Sequence, residues 1–543
     1  MDASLPYDVT QFGISRIAFT LLALSLPFAW VRCRQELARL MGKEPMLWLW
    51  GAAAVAVALR LGWPNLAVFH ENGHGYRYIG MAIDPESDLH VYGSGYAAFY
   101  SLLYTLLPPL TTVVLFTNVI LGSLTVVFLG LFGARCFGAR AGTMSAWALA
   151  LLPVHIKLSA TESPFILAIF LTVVGLWALS ELRERRSYSL ALVAGLAAGL
   201  APQTRPLMIA VPAFLFLFAL LSRPDALGWL KERSAWLFIG TAVSVLYLHV
   251  AWMLELHGEG GRLTGYGQFL ELGAERTVNA MSSHGLLFKP AFTPVHFLAL
   301  GAIGCAAAWK SHRRPALLLA AGFLAITWLY GARANHYSEA LRFAAVPQVM
   351  LVLLVGPALS GAVDWLAPSS PPRRLHFLGP AILLLTALCS HAAITTETVD
   401  SIESEFIQES YATLPTECAI ITPPSRMGRG RIESSFPFYE YRARLPGNDN
   451  FNWGLSRIDQ PMLDGLRNNN PCVLYFRGLA CSTFLPEESL EVSTRKECAV
   501  FEKSLSLRKV TSRVVDGSEL PRHLHRHPQG TFELGFFLLE GTP

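Results

Sequence analysis

The stretch Leu66–Tyr104, LAVFHENGHGYRYIGMAIDPESDLHVYGSGYAAFYSLLY, decides how this chain is read. It gathers four acids (Glu71, Asp84, Glu86, Asp88), three histidines (His70, His74, His90) and a row of tyrosines. The chain around it is 52% apolar and only 15% charged, and apolar segments flank the stretch on both sides. Ionisable groups beside hydrocarbon are costly, so a polar cluster at that position reads as a functional site before it reads as a connector.

The remainder of the chain is composed for a bilayer. It has 543 residues and a mean hydropathy of +0.40, and many windows approach the ~20 apolar residues that a transmembrane helix needs. A net charge of +4, dispersed along the chain, does not suggest nucleic acid. The apolar lengths predict about twelve spans, near 13–31, 46–62, 111–132, 143–157, 163–181, 188–203, 206–222, 235–254, 294–309, 315–331, 343–360 and 377–394. The first run lacks a basic leader and is followed by Arg32, Arg34, Arg39 and Lys43, so it reads as a span and not as a cleaved signal. With this count the basic clusters at 133–140, 181–186, 222–233, 310–315 and 371–374 all fall on the cytoplasmic side. The 66–104 loop, the 255–293 loop, the 332–342 turn and everything after about 395 then lie outside together.

Two places depart from simple spans. Pro202-Gln203-Thr204-Arg205-Pro206 joins two spans with almost no loop, because neither proline continues a helix cleanly. Tyr96–Pro109 is apolar but too short to cross, and is expected to be a helix on the membrane surface with Tyr96, Tyr100 and Tyr104 on one face.

After Ile394 the composition changes. Ser401–Leu414 reads as a helix, and Cys418–Thr422, Cys472–Phe476, Lys509–Val515 and Thr531–Leu539 read as short strands bounded by Pro, Gly and Asn. The expected fold class is therefore mainly α and polytopic, residues 1–394, with an outside loop at 63–110 and a soluble extracytoplasmic α+β domain at 395–543. Cys33, Cys136, Cys305 and Cys389 lie in or beside apolar segments and read as packing residues. Cys418, Cys472, Cys481 and Cys498 lie in the polar C-terminal part, where an oxidising compartment would give two disulfides in one of three connectivities.

Several pieces then occur in a telling order. After the acid-bearing HENGHGYRYIG come the tyrosine-rich YGSGYAAFYSLLYTLLP and the Asn-bearing span FTNVILGSLTVVFLGLFGAR. LALLPVHIKLSATESPFILAIFLTVVGLWAL, GLAAGLAPQTRPLMIAVPAFLFL and SEALRFAAVPQVMLVLL follow. Over roughly residues 60–400 this set resembles the GT-C superfamily of polytopic glycosyltransferases, closest to its family-39, dolichyl-phosphate-mannose-mannosyltransferase-like branch. The resemblance implies transfer of a sugar from a polyprenyl-phosphate-linked donor to an acceptor hydroxyl on the outer face of a membrane, bacterial and inner. An acid in the first outside loop would act as general base, taking the hydroxyl proton as the new bond forms, while Arg or Lys would stabilise the leaving phosphate.

Residue by residue, the family's Asp-Glu pair reads His70-Glu71 here, so the resemblance points first to Glu71 as base and next to Asp84 or Asp88. Arg205, Arg333, Arg342 and Lys157, at outside ends of spans, are the candidates for phosphate contact. Their plain alternative is interfacial snorkelling. Glu162 matches an outside Glu of the family and would orient one of these cations. Tyr92 and Tyr96, with Tyr100, would stack on sugar or form an aromatic belt at the interface. His336 lies in the turn that carries Arg333. The implied partners are the lipid-linked sugar, a lipid, glycan or protein acceptor, and membrane lipid; no cofactor is required.

A second motif competes. His70-Glu71-Asn72-Gly73-His74 fits H-E-x-x-H, which on a helix binds zinc through its two histidines, with Glu as base of a protease. Gly73 and Gly75 weaken a helix there, but a divalent metal held by His70 and His74 fits the string. A non-enzymatic transporter or scaffold is the third class. It calls for polar residues midway through spans, and apart from scattered histidines such as His249 and His296 the spans lack them.

Overall fold

The computed structural model describes residues 5–61, 93–109, 111–222, 225–255, 293–331, 337–366, 418–422, 453–454, 460–482, 493–519 and 530–540, with isolated positions between them. The chain divides into two compact units. One holds Met1–Leu66, Leu89–Leu107 and Val114–Ile394, and the other holds Ala67–Asp88, Pro108–Val113 and Thr395–Pro543.

The first unit is helical. Its elements are α1 (Leu5–Met41), α2 (Lys43–Leu61), α3 (Gly95–Tyr104), α4 (Thr111–Phe137), α5 (Ala139–Ala150), α6 (Pro153–Ser159) and α7 (Pro164–Glu184). They continue with α8 (Tyr188–Thr204), α9 (Ala210–Leu221), α10 (Ala226–Leu230), α11 (Arg233–Glu255), α12 (Val295–Gly331) and α13 (Tyr337–Leu366). Among the described residues, five helices are long and apolar enough to cross a membrane: α1, α2, α4, α7 and the Ala345–Ala362 part of α13. This is an integral membrane protein. The most apolar stretch of α7 is wholly buried, as expected of a helix that is hydrophobic all round, whereas α1 leaves Ile17, Leu24 and Phe28 facing outward. Close approach is made possible by small residues: a Cβ on Gly142 of α5 would come within 2.8 Å of the Ala134 Cα of α4.

The helices correct the sequence reading in three places. The span expected at 143–157 is broken, because α5 ends at Ala150 and Pro153 starts α6 at its first turn. The spans expected at 294–309 and 315–331 run on as α12, with a non-helical break at His312 three residues before Pro315. Of the three tyrosines expected on the surface helix α3, Tyr96 and Tyr100 are completely buried and Tyr104 is half-buried. The span expected near 377–394 lies almost entirely outside the described residues.

Polar side chains in the bundle collect in two layers. At one end Arg135 of α4 makes a two-pronged ion pair with Glu181 of α7 (2.6 and 2.9 Å) and reaches Glu36 of α1 at 2.8 Å. Arg185 also pairs with Glu36 and donates to Arg32 O at 2.7 Å. At the other end lie Ser15 of α1, Arg60 of α2, Asn118 of α4 and the start of α7. On α4 the two layers, at 118 and 135, are about 26 Å apart at 1.5 Å per residue; on α1, at 15 and 36, they are about 31 Å apart. Both spans approximate the ~30 Å hydrocarbon thickness of a bilayer.

In the second unit a five-stranded sheet has the order β2 (Trp453–Gly454), β1 (Cys418–Thr422), β3 (Cys472–Arg477), β5 (Thr531–Leu539), β4 (Leu507–Asp516). β1 runs parallel to β2 and β3, while β5 is antiparallel to both β3 and β4. The four strands expected from sequence coincide with β1, β3, β4 and β5 to within two residues. Helices α14 (Gln460–Asn469) and α15 (Ser493–Ser504) supply Leu463, Leu466 and Cys498 to a core with Ala419, Ile421, Val473 and Tyr475. Burial pushes the Tyr475 phenol above its usual range, so it remains protonated and donates to Glu502 at 3.1 Å. Of the three possible connectivities, the structure has Cys418–Cys472, joining neighbouring strands, and Cys481–Cys498. Cys33 and Cys136 are free and buried, in keeping with a packing role.

The first disulfide closes a separation of 54 residues and the second one of 17. Chain entropy alone makes these worth about 4 and about 3 kcal/mol respectively. Replacing Cys418 and Cys472 by Ser should therefore destabilise this unit more than replacing Cys481 and Cys498. Denaturant unfolding of the two double variants checks it, and the reverse order would contradict the assigned pairing.

Candidate functional site

The polar layer that contains Asn118 is assembled from chain breaks. Each break frees backbone groups that a side chain from another helix satisfies. Between α6 and α7, residues 160–163 form a link whose end is set by Pro164 at the first turn of α7. Asn118 Nδ2 donates to Thr161 O at 2.6 Å and to the Tyr96 hydroxyl at 3.1 Å. The Tyr96 hydroxyl donates to Glu162 O at 2.8 Å, and the Tyr100 hydroxyl donates to Asn118 Oδ1 at 3.0 Å. The Tyr96 and Tyr100 rings meet edge to face with centroids 4.8 Å apart. Asn118, Tyr96 and Tyr100 are fully buried.

A second break follows α8. Helix α8 runs through Pro202 to Thr204, and Arg205 has extended backbone before the short turn Pro206–Ile209. The segment leading into α3 presses on this break: a Cβ on Gly95 would lie 2.7 Å from Thr204 N, so only glycine fits there. Ser15 of α1 shares a hydrogen bond with Ser94 at 3.0 Å and donates to Gln203, whose amide donates to Val245 O. Next to Gln203, Arg205 is buried with its guanidinium over the Phe165 ring, 5.1 Å from the centroid.

The third element is an arginine that the sequence reading passed over. Arg60, at the end of α2, is fully buried and donates to Ala56 O and to His155 Nδ1, both at 2.7 Å. A guanidinium has no acceptor, so Nδ1 accepts and the imidazole proton lies on Nε2. Arg60 sits against Gly122 and Ser159, and a Cβ at Gly122 would come within 3.3 Å of its Nε. His155 and Lys157 share α6, and both are buried.

Of the residues expected from sequence, the structure thus describes Lys157, Glu162, Arg205 and Tyr96. Lys157 and Glu162 are buried on α6 and its link, and Arg205 stacks three positions beyond Glu162, on Phe165. Tyr96 is completely buried, and its hydroxyl bonds Glu162 O and Asn118. Glu71, Asp84, Asp88, His70, His74, Tyr92, Arg333 and His336 lie outside the described residues, as does the side chain of Arg342. Among the described residues no group of three or more His, Cys, Asp or Glu could hold a metal ion. Asn118 stood out in sequence only as an asparagine in an apolar span, and nothing there linked Arg60 to His155.

Two cations, Lys157 and Arg205, and the acid Glu162 are thus buried on elements fixed from several helices. Residues 95–252 match the model of the family described as dolichyl-phosphate-mannose-protein mannosyltransferase. In structure the chain is similar to ArnT from Cupriavidus metallidurans bound to undecaprenyl phosphate. The TM-score is 0.55 at 14% identity, covering 91% of this chain and 97% of that one. ArnT from the same organism in the apo state gives 0.53 at 13% identity, covering 92% and 98%. No curated protein sequence matches the chain. The chain has the fold of the GT-C membrane glycosyltransferases, and the resemblance read from its sequence holds.

The Arg60–His155 pair makes an asymmetric prediction. His155→Ala strands a buried guanidinium and should cost about 3 kcal/mol or more, whereas Arg60→Met removes the charge with its desolvation and should cost less. Thermal unfolding in detergent compares the two; equal losses would contradict a strong bond between them.

Proposed function

We propose that this protein is a membrane glycosyltransferase that moves a sugar from a polyprenyl-phosphate carrier to an acceptor hydroxyl at the extracytoplasmic face of a bacterial inner membrane. The observation that carries the reading is the burial of Lys157, Glu162 and Arg205 in one polar layer of a GT-C fold. A donor with a long lipid tail cannot leave the bilayer, so its phosphate must be met where the helices end. Lys157 and Arg205 meet that phosphate, with Arg333 and Arg342 as further contacts, and Glu162 orients the cations. The ArnT structure that this chain resembles carries undecaprenyl phosphate, which is the chemistry such cations suit.

Glu71 is the general base, with Asp84 and Asp88 next in order. The acceptor is a lipid, a glycan or a protein. The two disulfides of the C-terminal unit support its extracytoplasmic position, since disulfides persist in oxidising compartments. The H-E-x-x-H motif of the metalloprotease reading lies outside the described residues, and the likeness to ArnT supports the transferase reading over the transporter one.

Glu71→Gln should lower sugar transfer by on the order of 100-fold or more with membrane insertion unchanged. Arg205→Ala should raise the donor KM by about tenfold or more and leave the acceptor KM alone. Steady-state kinetics on purified protein with a polyprenyl-phosphate sugar measures both. Unchanged transfer in Glu71→Gln would remove the base, and an unchanged donor KM in Arg205→Ala would remove the phosphate contact.

A further inference from the structure

Three consecutive carbonyls, those of Thr161, Glu162 and Ser163, fall in the link between α6 and α7. The link has no cap of its own: the Ser163 side chain makes no capping bond to α7, and its backbone is extended ahead of Pro164 (φ −65°, ψ 123°). All three carbonyls face two side chains from other helices. Asn118 Nδ2 holds Thr161 O at 2.6 Å and reaches Ser163 O at 3.5 Å, and the Tyr96 hydroxyl holds Glu162 O at 2.8 Å. Reversing the amide would set its oxygen against Thr161 O, so its NH₂ faces the link, while the Tyr100 hydroxyl lies within reach of both Asn118 Oδ1 (3.0 Å) and Val114 O (3.2 Å).

We propose that Asn118 and Tyr96 are positioning residues for donor recognition. By holding the carbonyls of residues 161–163 from α4 and α3, they fix the backbone from which the Glu162 side chain projects. They also fix the Phe165 ring, two residues beyond Ser163, on which the Arg205 guanidinium lies. This rests on the reading of Lys157, Glu162 and Arg205 as a site for the phosphate of a lipid-linked sugar. Chemical recognition then belongs to the cations, and their geometry belongs to a neutral clamp behind them. Small misplacements of recognition groups are expensive, which is why such a clamp registers in binding and not only in stability.

The test uses the full-length protein in nanodiscs, with undecaprenyl phosphate binding and donor KM and kcat as readouts. Tyr96→Phe keeps the ring and deletes one bond to the link. It should weaken undecaprenyl phosphate binding and raise donor KM by about tenfold, with kcat within about twofold. Asn118→Leu should do the same or more where it folds. Ser145→Ala, which removes a buried bond from α5 to Leu353 O far along the bundle, is the control for stability alone and should move neither. Unchanged binding and KM in Tyr96→Phe would overturn the inference, as would an equal change in Ser145→Ala. If Arg205→Ala weakens binding while Tyr96→Phe does not, only the clamp fails. If Arg205→Ala leaves binding unchanged, the phosphate-site reading falls and the clamp falls with it.

Discussion

Inside a bilayer a polar atom has no water to turn to, so each one must find its partner within the protein or lie where the helices end. Asn118 shows what that constraint does. Its amide is fully buried in a span, and it is tolerable there because every group has a directed partner: Thr161 O and the Tyr96 hydroxyl for its NH₂, the Tyr100 hydroxyl for its oxygen. The same residue that would be a liability in isolation thereby joins α3, α4 and the α6–α7 link. Those bonds hold the broken stretch of chain where Glu162 sits, and the break is what lets a polar layer form at the membrane edge.

The two polar layers handle charge differently. In the layer containing Arg135, the guanidinium meets two carboxylates, Glu181 and Glu36, and Arg185 extends the set, so charge is cancelled locally across α1, α4 and α7. In the layer containing Asn118, the described partners of Arg60 are a carbonyl and an imidazole, both neutral. Lys157, Glu162 and Arg205 are buried in the same layer. The first arrangement locks α1, α4 and α7 together through opposite charges.

Much of the helical frame was legible in the sequence because long apolar runs and flanking basic residues carry their own periodicity and sign. The strands β1, β3, β4 and β5 were legible for the same reason, through β-branched runs bounded by turn residues. What failed was partnership. Tyr96 and Tyr100 share a face by spacing, but spacing does not say whether that face meets lipid or α4. The break at Leu151–Leu152 lies within an unbroken apolar run and shows itself only through Pro153. Arg60 and His155 are nearly a hundred positions apart, and neither residue type announces the other. Four C-terminal cysteines gave the number of disulfides but not their pairing, because connectivity depends on which strands become neighbours.

The claim beneath all of this is that the two polar layers lie on opposite faces of one membrane. Single cysteines can be placed at Leu106, which is 83% exposed just beyond α3, and at Arg186, whose side chain is 84% exposed beside Glu232 at the other end, in a background without the native free thiols. A membrane-impermeant maleimide applied to intact cells is expected to label Leu106→Cys at once and Arg186→Cys only after permeabilisation. Labelling of both from the same side would contradict the arrangement.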